Sequence, residues 1–225
     1  TNAVGTDARL LMTADIELSS TADFAPAEVA KIEEVVGRYG VVDARTETIT
    51  SAVMARPEDA ANQTVRFIEL KGIEPAFPLV GEFQLTEGKR FDFELLERGG
   101  AVVSRILLDD LNLKVGDKVN IGEAQFIIRG TLDEEPGGTG GFRLGPRVFV
   151  EKKAFDTAGI TRNNGRVRRR QLLRTVSDPT PMVRELREAL KGSTITVNSY
   201  REQQENLGEQ FARTENYLSL TGLLI

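Results

Sequence analysis

The chain of 225 residues contains no histidine and no cysteine, and that double absence decides most of the chemistry open to it. Histidine is the usual general base near neutral pH and the commonest transition-metal ligand, while cysteine supplies thiolate nucleophiles, thiolate ligands and disulfides. Ser-His-Asp, Cys-His and His-zinc centres are therefore excluded. Three polar clusters remain. The stretch Glu135–Pro146 (EPGGTGGFRLGP) has the glycine content of a phosphate cradle. It lacks the closing Gly-Lys-Ser/Thr of a P-loop and does not follow G-x-G-x-x-G, so it reads as a loop tip with Phe142 and Leu144 available to a partner.

Arg162, Arg166, Arg168, Arg169, Arg170 and Arg174 form the only basic cluster. Strand side chains alternate between faces, so a strand over 168–176 splits this cluster and gives it a structural or subdomain-joining role. The acidic groups Asp109-Asp110 and Asp133-Glu134-Glu135 have the oxygens for a hard cation, but no EF-hand spacing surrounds them and they read as solvated turns. No residue is assigned as catalytic, cofactor-binding or metal-binding, no cofactor is implied, and the chain is not read as an enzyme. The net charge of −5 repels phosphate backbones and argues against nucleic acid as a partner. With 40% apolar and 28% charged residues the chain has ordinary globular composition.

Two β-α-β units frame the chain. In ADIELSS (14–20), Ile16 and Leu18 alternate with Asp15 and Glu17, the pattern of a half-buried strand with the acidic residues facing out. Pro26 then stands at a first helical position, Val29, Ile32, Val35, Val36 and Tyr39 recur at helical spacing, and Gly40 stops the helix. Strands over 44–56 and 64–72 follow, separated by a turn at 57–62. Near the other end come a strand over 168–176, a helix with Asp178 as N-cap and Pro179 first, carrying Val183, Leu186 and Leu190, and a strand over 193–200. Between them, 74–165 shows short alternating runs punctuated by Gly and Pro. Helical period appears there only over 104–113, and Gly116-Asp117 supplies turn chemistry for a barrel-like unit. The fold class is α+β: a split porter-like subdomain (1–73 and 166–216) interrupted by an inserted β-rich subdomain (74–165), with separate sheets in the two.

No basic start followed by a long apolar run marks a signal peptide. At the other end, Arg201–Asn216 is polar and helix-prone, with Leu207 and Phe211 one turn apart, and it leads into the uncharged run Tyr217–Ile225. Nine residues are about half of the roughly 20 that span a bilayer, so 217–225 reads as the start of a truncated transmembrane helix. Glu202, Glu205, Glu209 and Glu215 outnumber Arg201 and Arg213 beside it, which places this side of the membrane outside the cytoplasm.

ADIELSS (14–20), FPLVGEFQL (77–85), GGAVVSRILLDDLNLKVGDKVNIGEAQFIIRGTLDEEP (99–136), FRLGPRVFV (142–150) and TENYLSLTGLLI (214–225) occur in an order that resembles the MacB-like periplasmic core domain of FtsX-like permeases, the macrolide-exporter type of ABC transporter. Within that family it resembles the lysophospholipase-export permeases. The resemblance implies a non-catalytic domain facing the periplasm or extracellular side of the cell membrane. It also implies mechanotransmission, the coupling of cytoplasmic ATP hydrolysis to substrate handling outside, with the segment to Met12 and the helix from Arg201 as moving stalks. It further implies as partners the flanking transmembrane helices, a separate ABC ATPase subunit, a second permease copy, and a periplasmic adaptor or a lipid-like or peptide substrate. The competing reading of the same stalk pattern is a ligand-sensing extracytoplasmic domain of a receptor, with a pocket between the subdomains.

Overall fold

In the computed structural model, residues 8–59, 61, 63–134, 145–161 and 166–205 are described. The first β-α-β unit is β1 (Ile16–Ser20), α1 (Pro26–Tyr39) and β2 (Val42–Pro57); the last is β9 (Val167–Thr175), α4 (Thr180–Ala189) and β10 (Thr196–Ser199). Their strands lie in the order β10-β1-β9-β2, each antiparallel to its neighbour. Each unit therefore holds one strand of the other between its own two, and the units interlock.

Both crossover helices cover the same face. Helix α1 starts with Pro26 at its first position, where a missing N–H costs nothing, and the Glu28 carboxylate accepts from Ala25 N–H at 2.8 Å. Gly40 ends it in the left-handed region (φ 61°), donating to the Val36 carbonyl at 3.0 Å. Ile32, Val35 and Val36 of α1 and Met182, Val183 and Leu186 of α4 bury against Ile16, Leu18 and Leu173 of the sheet. Helix α4 begins one residue later than its sequence suggests. Pro179 is the cap, and Asp178 reaches forward to accept from Thr180 N–H at 3.0 Å and Thr180 Oγ1 at 2.7 Å.

The middle of the chain supplies β3 (Arg66–Ile73), β4 (Gln84–Leu85), β5 (Gly100–Ser104), α2 (Arg105–Leu111), β6 (Lys118–Ile121), β7 (Ala124–Glu134), β8 (Arg147–Glu151) and α3 (Lys152–Phe155). Pairing runs β2-β3-β8-β5-β7-β6 and returns to β2, so six strands close on themselves. Ile68, Leu70, Val103, Val119, Ile121, Phe126, Ile128, Val148 and Val150 fill the interior. The separate sheets expected for the two subdomains are corrected here: β2 pairs with β9 from Val42 to Ser51 and with β6 from Ala55 to Pro57, so one sheet runs through both. The physical reason is length. At 16 residues, β2 reaches about 53 Å and outlasts its open-sheet neighbour.

A second correction concerns the turn. Gly116-Asp117 precedes β6, with the Asp117 carboxylate accepting from Lys114 N–H at 2.9 Å, whereas the β6–β7 reversal is made at Gly122 and Glu123. Gly122 has φ 57°, and a Cβ there would stand 2.3 Å from the Ala158 carbonyl oxygen. Left-handed strain and a backbone clash combine, so Gly122→Ala is expected to lower stability by on the order of 3 kcal/mol in urea unfolding. A loss below about 1 kcal/mol would show that Ala158 yields without resistance.

A third apolar cluster joins the two halves. It draws Ala14 from the bend before β1, Leu172 from β9, Ile73 and Phe149 from the barrel wall, and Phe77, Leu79, Phe83 and Leu96 from the 74–99 segment. Phe83 stands edge-on to Phe149 at 4.9 Å and 86°, and stacks on Phe91 at 4.1 Å.

Candidate functional site where the chain ends meet

Residues 8–12 are helical, and a turn at Thr13 redirects the chain into β1. Thr13 holds φ 59°, a costly conformation for a β-branched residue. It is fixed from both sides: its hydroxyl donates to the Met12 carbonyl at 2.6 Å, and its own carbonyl accepts from Val80 N–H at 3.0 Å. This turn brings Arg9 back over Asp15.

Asp15 is the centre of the site. Its side chain is 1% exposed and receives two bonds from Arg9, Nε to Oδ1 at 2.6 Å and Nη2 to Oδ2 at 3.0 Å. Oδ2 also accepts from Thr175 N–H at 2.8 Å. The Asp15 backbone donates to the Leu173 carbonyl and accepts from Tyr200 N–H, each at 3.0 Å. Tyr200 opens the helical residues 200–205, and the guanidinium carbons of Arg9 and Arg201 each lie 5.3 Å from its ring centroid. One buried aspartate thus ties the incoming segment, the sheet and the outgoing helix together.

A second tether holds the outgoing helix. Arg187 of α4 donates to both oxygens of Glu202 (2.6 and 2.7 Å) and twice to the Val197 carbonyl (3.1 and 2.6 Å). The Arg187 hydrogen bonds hold the Glu202 carboxyl below its ordinary range, and the same pairing raises Arg187. The tether on the barrel side is Lys152, which bonds Glu47 and reaches Glu74 at 2.9 Å. Burial alone would raise the Glu74 carboxyl, but the Glu47 N–H and the Lys152 ammonium outweigh it and keep it low.

The arginine cluster is divided as strand alternation requires. Arg169 points to Asp23 at 2.6 Å, Arg170 lies 3.4 Å from Glu17, and Arg174 pairs with Asp43 at 3.0 Å. Arg166 offers its carbonyl to the Ser51 hydroxyl at 2.7 Å, and Arg168 is exposed. Of the acidic groups, Asp110 pairs with Arg66 at 3.2 Å and Asp133 is exposed on β7. Arg162, Glu135, the loop carrying Phe142 and Leu144, and the stalk and apolar end with Leu207, Phe211 and Tyr217–Ile225 lie outside the described residues.

Two buried charges go unrecognised in the sequence. Asp15, expected to face out, is buried, because the helical turn 8–12 folds over it and brings a cation. Lys71 is 5% exposed, while Phe67 of the same strand is 43% exposed. The only sequence signal for the first was an arginine six residues before an aspartate. Nothing in sequence marked the second.

The chain matches the model of the MacB-like periplasmic core domain over residues 3–209. It is 26% identical over 108 residues, 48% of its length, to the uncharacterized ABC transporter permease YbbP of Escherichia coli (strain K12), of which the match covers 13%. In fold it is similar to the extracellular domain of the noncanonic ABC-type transporter YknZ from Gram-positive bacteria (TM-score 0.52, 18% identity, 82% of this chain and 99% of that one). It is likewise similar to the periplasmic region of MacB from Actinobacillus actinomycetemcomitans (TM-score 0.54, 9% identity, 89% and 95%). With the family model covering nearly its whole length and a mixed sheet of the same fold, the chain belongs to the MacB-like periplasmic core domains, the non-catalytic, extracytoplasmic part of ABC transporter permeases.

Proposed function

We propose that this domain is a mechanical coupler: ATP hydrolysis by a separate ABC ATPase in the cytoplasm moves membrane helices at the two chain ends, and the domain passes that motion to a substrate outside. The observation that carries the reading is the convergence on Asp15, where the incoming segment (Arg9), the sheet (Thr175, Leu173) and the outgoing helix (Tyr200) share one buried group. Displacement of either end then acts on β1 and β9 directly. The parts 1–73 with 166–216 and 74–165 serve as the driven and the carried part, joined by β2 and β3, which run from the first into the barrel wall of the second, with a second permease copy and a periplasmic adaptor as neighbours. A lipid-like or peptide cargo suits this arrangement, and the placement in the lysophospholipase-export branch rests on the sequence motifs alone. A ligand sensor would need space between the halves, whereas Phe77, Phe83 and Phe149 fill that joint.

The test is Asp15→Asn in the full-length permease with its ATPase. The amide keeps an acceptor for Thr175 N–H and loses the charge that holds Arg9. Hydrolysis is expected to continue while transport falls about tenfold, equivalent to roughly 1.4 kcal/mol of coupling. Unchanged transport, or loss of hydrolysis in step with transport, would rule the site out as the coupling element.

A further inference from the structure

Strands β9, β2 and β3 bring Arg168, Thr50 and Lys71 into a single row. Thr50 is in register with Arg168 on one side and with Lys71 on the other, and residues opposite one another in antiparallel pairs share a face about 5 Å apart. One rung along, Arg170 and Thr48 are paired in the same way. Helices α1 and α4 cover the other face of the open sheet through Ile16, Leu18 and Leu173, so the row lies on the face opposite them.

The groups in this row are donors short of acceptors. The Lys71 ammonium lies 4.3 Å from the Phe77 ring centroid and 5.9 Å from that of Phe149, and among the described residues it has no hydrogen bond and no ion pair. Thr48 Oγ1, Thr50 Oγ1 and Arg170 Nε are buried and unbonded; the 3.4 Å approach of Arg170 to Glu17 lacks the alignment of a hydrogen bond. Arg168 is exposed and has no ion-pair partner among the described residues. Arg147 stands on the same face, bonded to Glu69 at 2.6 Å. Among the described residues, Arg168 and Lys71 thus have no ion-pair partner, and Arg170 has only the misaligned Glu17. Buried donors beside surplus positive charge call for a negatively charged acceptor.

We propose that this row binds a phosphate-type oxyanion, seated over Thr50 between Arg168 and Lys71. The guanidinium fork and the ammonium take its oxygens from two sides, with the two threonine hydroxyls beneath. Burial first, then the cations of Arg147 and Arg170, push Lys71 well below an ordinary lysine, against the pull of Glu69 and Glu17. An arriving anion offsets both penalties and raises it again. On the same face, Met54 and Phe67 are paired and are 55% and 43% exposed, four residues along β2 from Thr50 or about 13 Å. An apolar chain attached to the phosphate would reach them.

The proposal is independent of the coupling reading and is tested on the 225-residue chain alone. Inorganic phosphate and monomeric dodecyl phosphate are titrated by calorimetry. Saturable binding is expected. Tighter binding of dodecyl phosphate identifies the headgroup of an amphiphile, and equal binding identifies free phosphate. Arg168→Gln, at an exposed position, is expected to weaken binding about tenfold. Lys71→Met, which fills the same space between the rings, is expected to weaken it as well. Absence of saturable binding by both probes, or unaltered binding by Arg168→Gln, overturns the proposal.

Discussion

Replacing Arg9 with alanine is expected to lower the stability of the domain by about 3 kcal/mol, because it strands a buried carboxylate without its cation. The two partners are unequal: Asp15 is 1% exposed and the Arg9 side chain 39%. When Arg9 is lost, Asp15 keeps only the Thr175 N–H and stays enclosed by the sheet. When instead Asp15 becomes asparagine, Thr175 keeps an acceptor and Arg9 turns to water, so that change is expected to cost only about 1 kcal/mol. Urea unfolding of the two variants measures the order directly. If Asp15→Asn proves the more damaging, the aspartate is not a buried charge held by Arg9, and the account of the clasp is wrong.

Phe149→Ala is expected to have the largest effect, about 4 kcal/mol. Phe149 is fully buried at the centre of the joint, with Phe83 edge-on and Phe77 at 6.4 Å. Its removal opens a cavity between a β8 backbone and a 74–99 segment that are both fixed by other contacts, so collapse is limited. The ring also faces the Lys71 ammonium, and its loss leaves Phe77 as the remaining aromatic neighbour. Phe149→Ala and Lys71→Met are therefore expected to be non-additive, with the double variant more stable than the sum of the single changes implies. A loss under about 1.5 kcal/mol for Phe149→Ala would show that the joint repacks freely and that the halves are held elsewhere.

The framing units were legible because their signals are local. Pro26 and Gly40 punctuate α1, the Ile16 and Leu18 alternation marks β1, and the helical stripes of α1 and α4 name the face they bury. What escaped the sequence depends on which strand lies next to which. Closure of β6 onto β2 is set by three residue pairs at the far end of a long strand, and no periodicity records it. The burial of Lys71 and the exposure of Phe67 have the same origin. On β3 the alternation puts Lys71 and Phe67 on one face, and the joint covers only the Lys71 end of it. Asp15 was misread because a charged residue in an alternating strand ordinarily faces water, and its cation comes from a turn whose direction Thr13 sets with a conformation that its side chain disfavours.

The order of strands also fixes when each part can assemble as the chain emerges from the ribosome. All six barrel strands lie between Val42 and Glu151, so the barrel can close before β9 has been made. The first strand cannot join so early. The hydrogen-bonded neighbours of β1 are β9 and β10, which arrive about 150 residues later. Ile16, Leu18 and the apolar stripe of α1 must therefore wait unpaired while a completed barrel stands beside them. The first-made strand of this domain is the last to find its place, and its arrival closes the aspartate clasp at the same moment as the second half of the sheet.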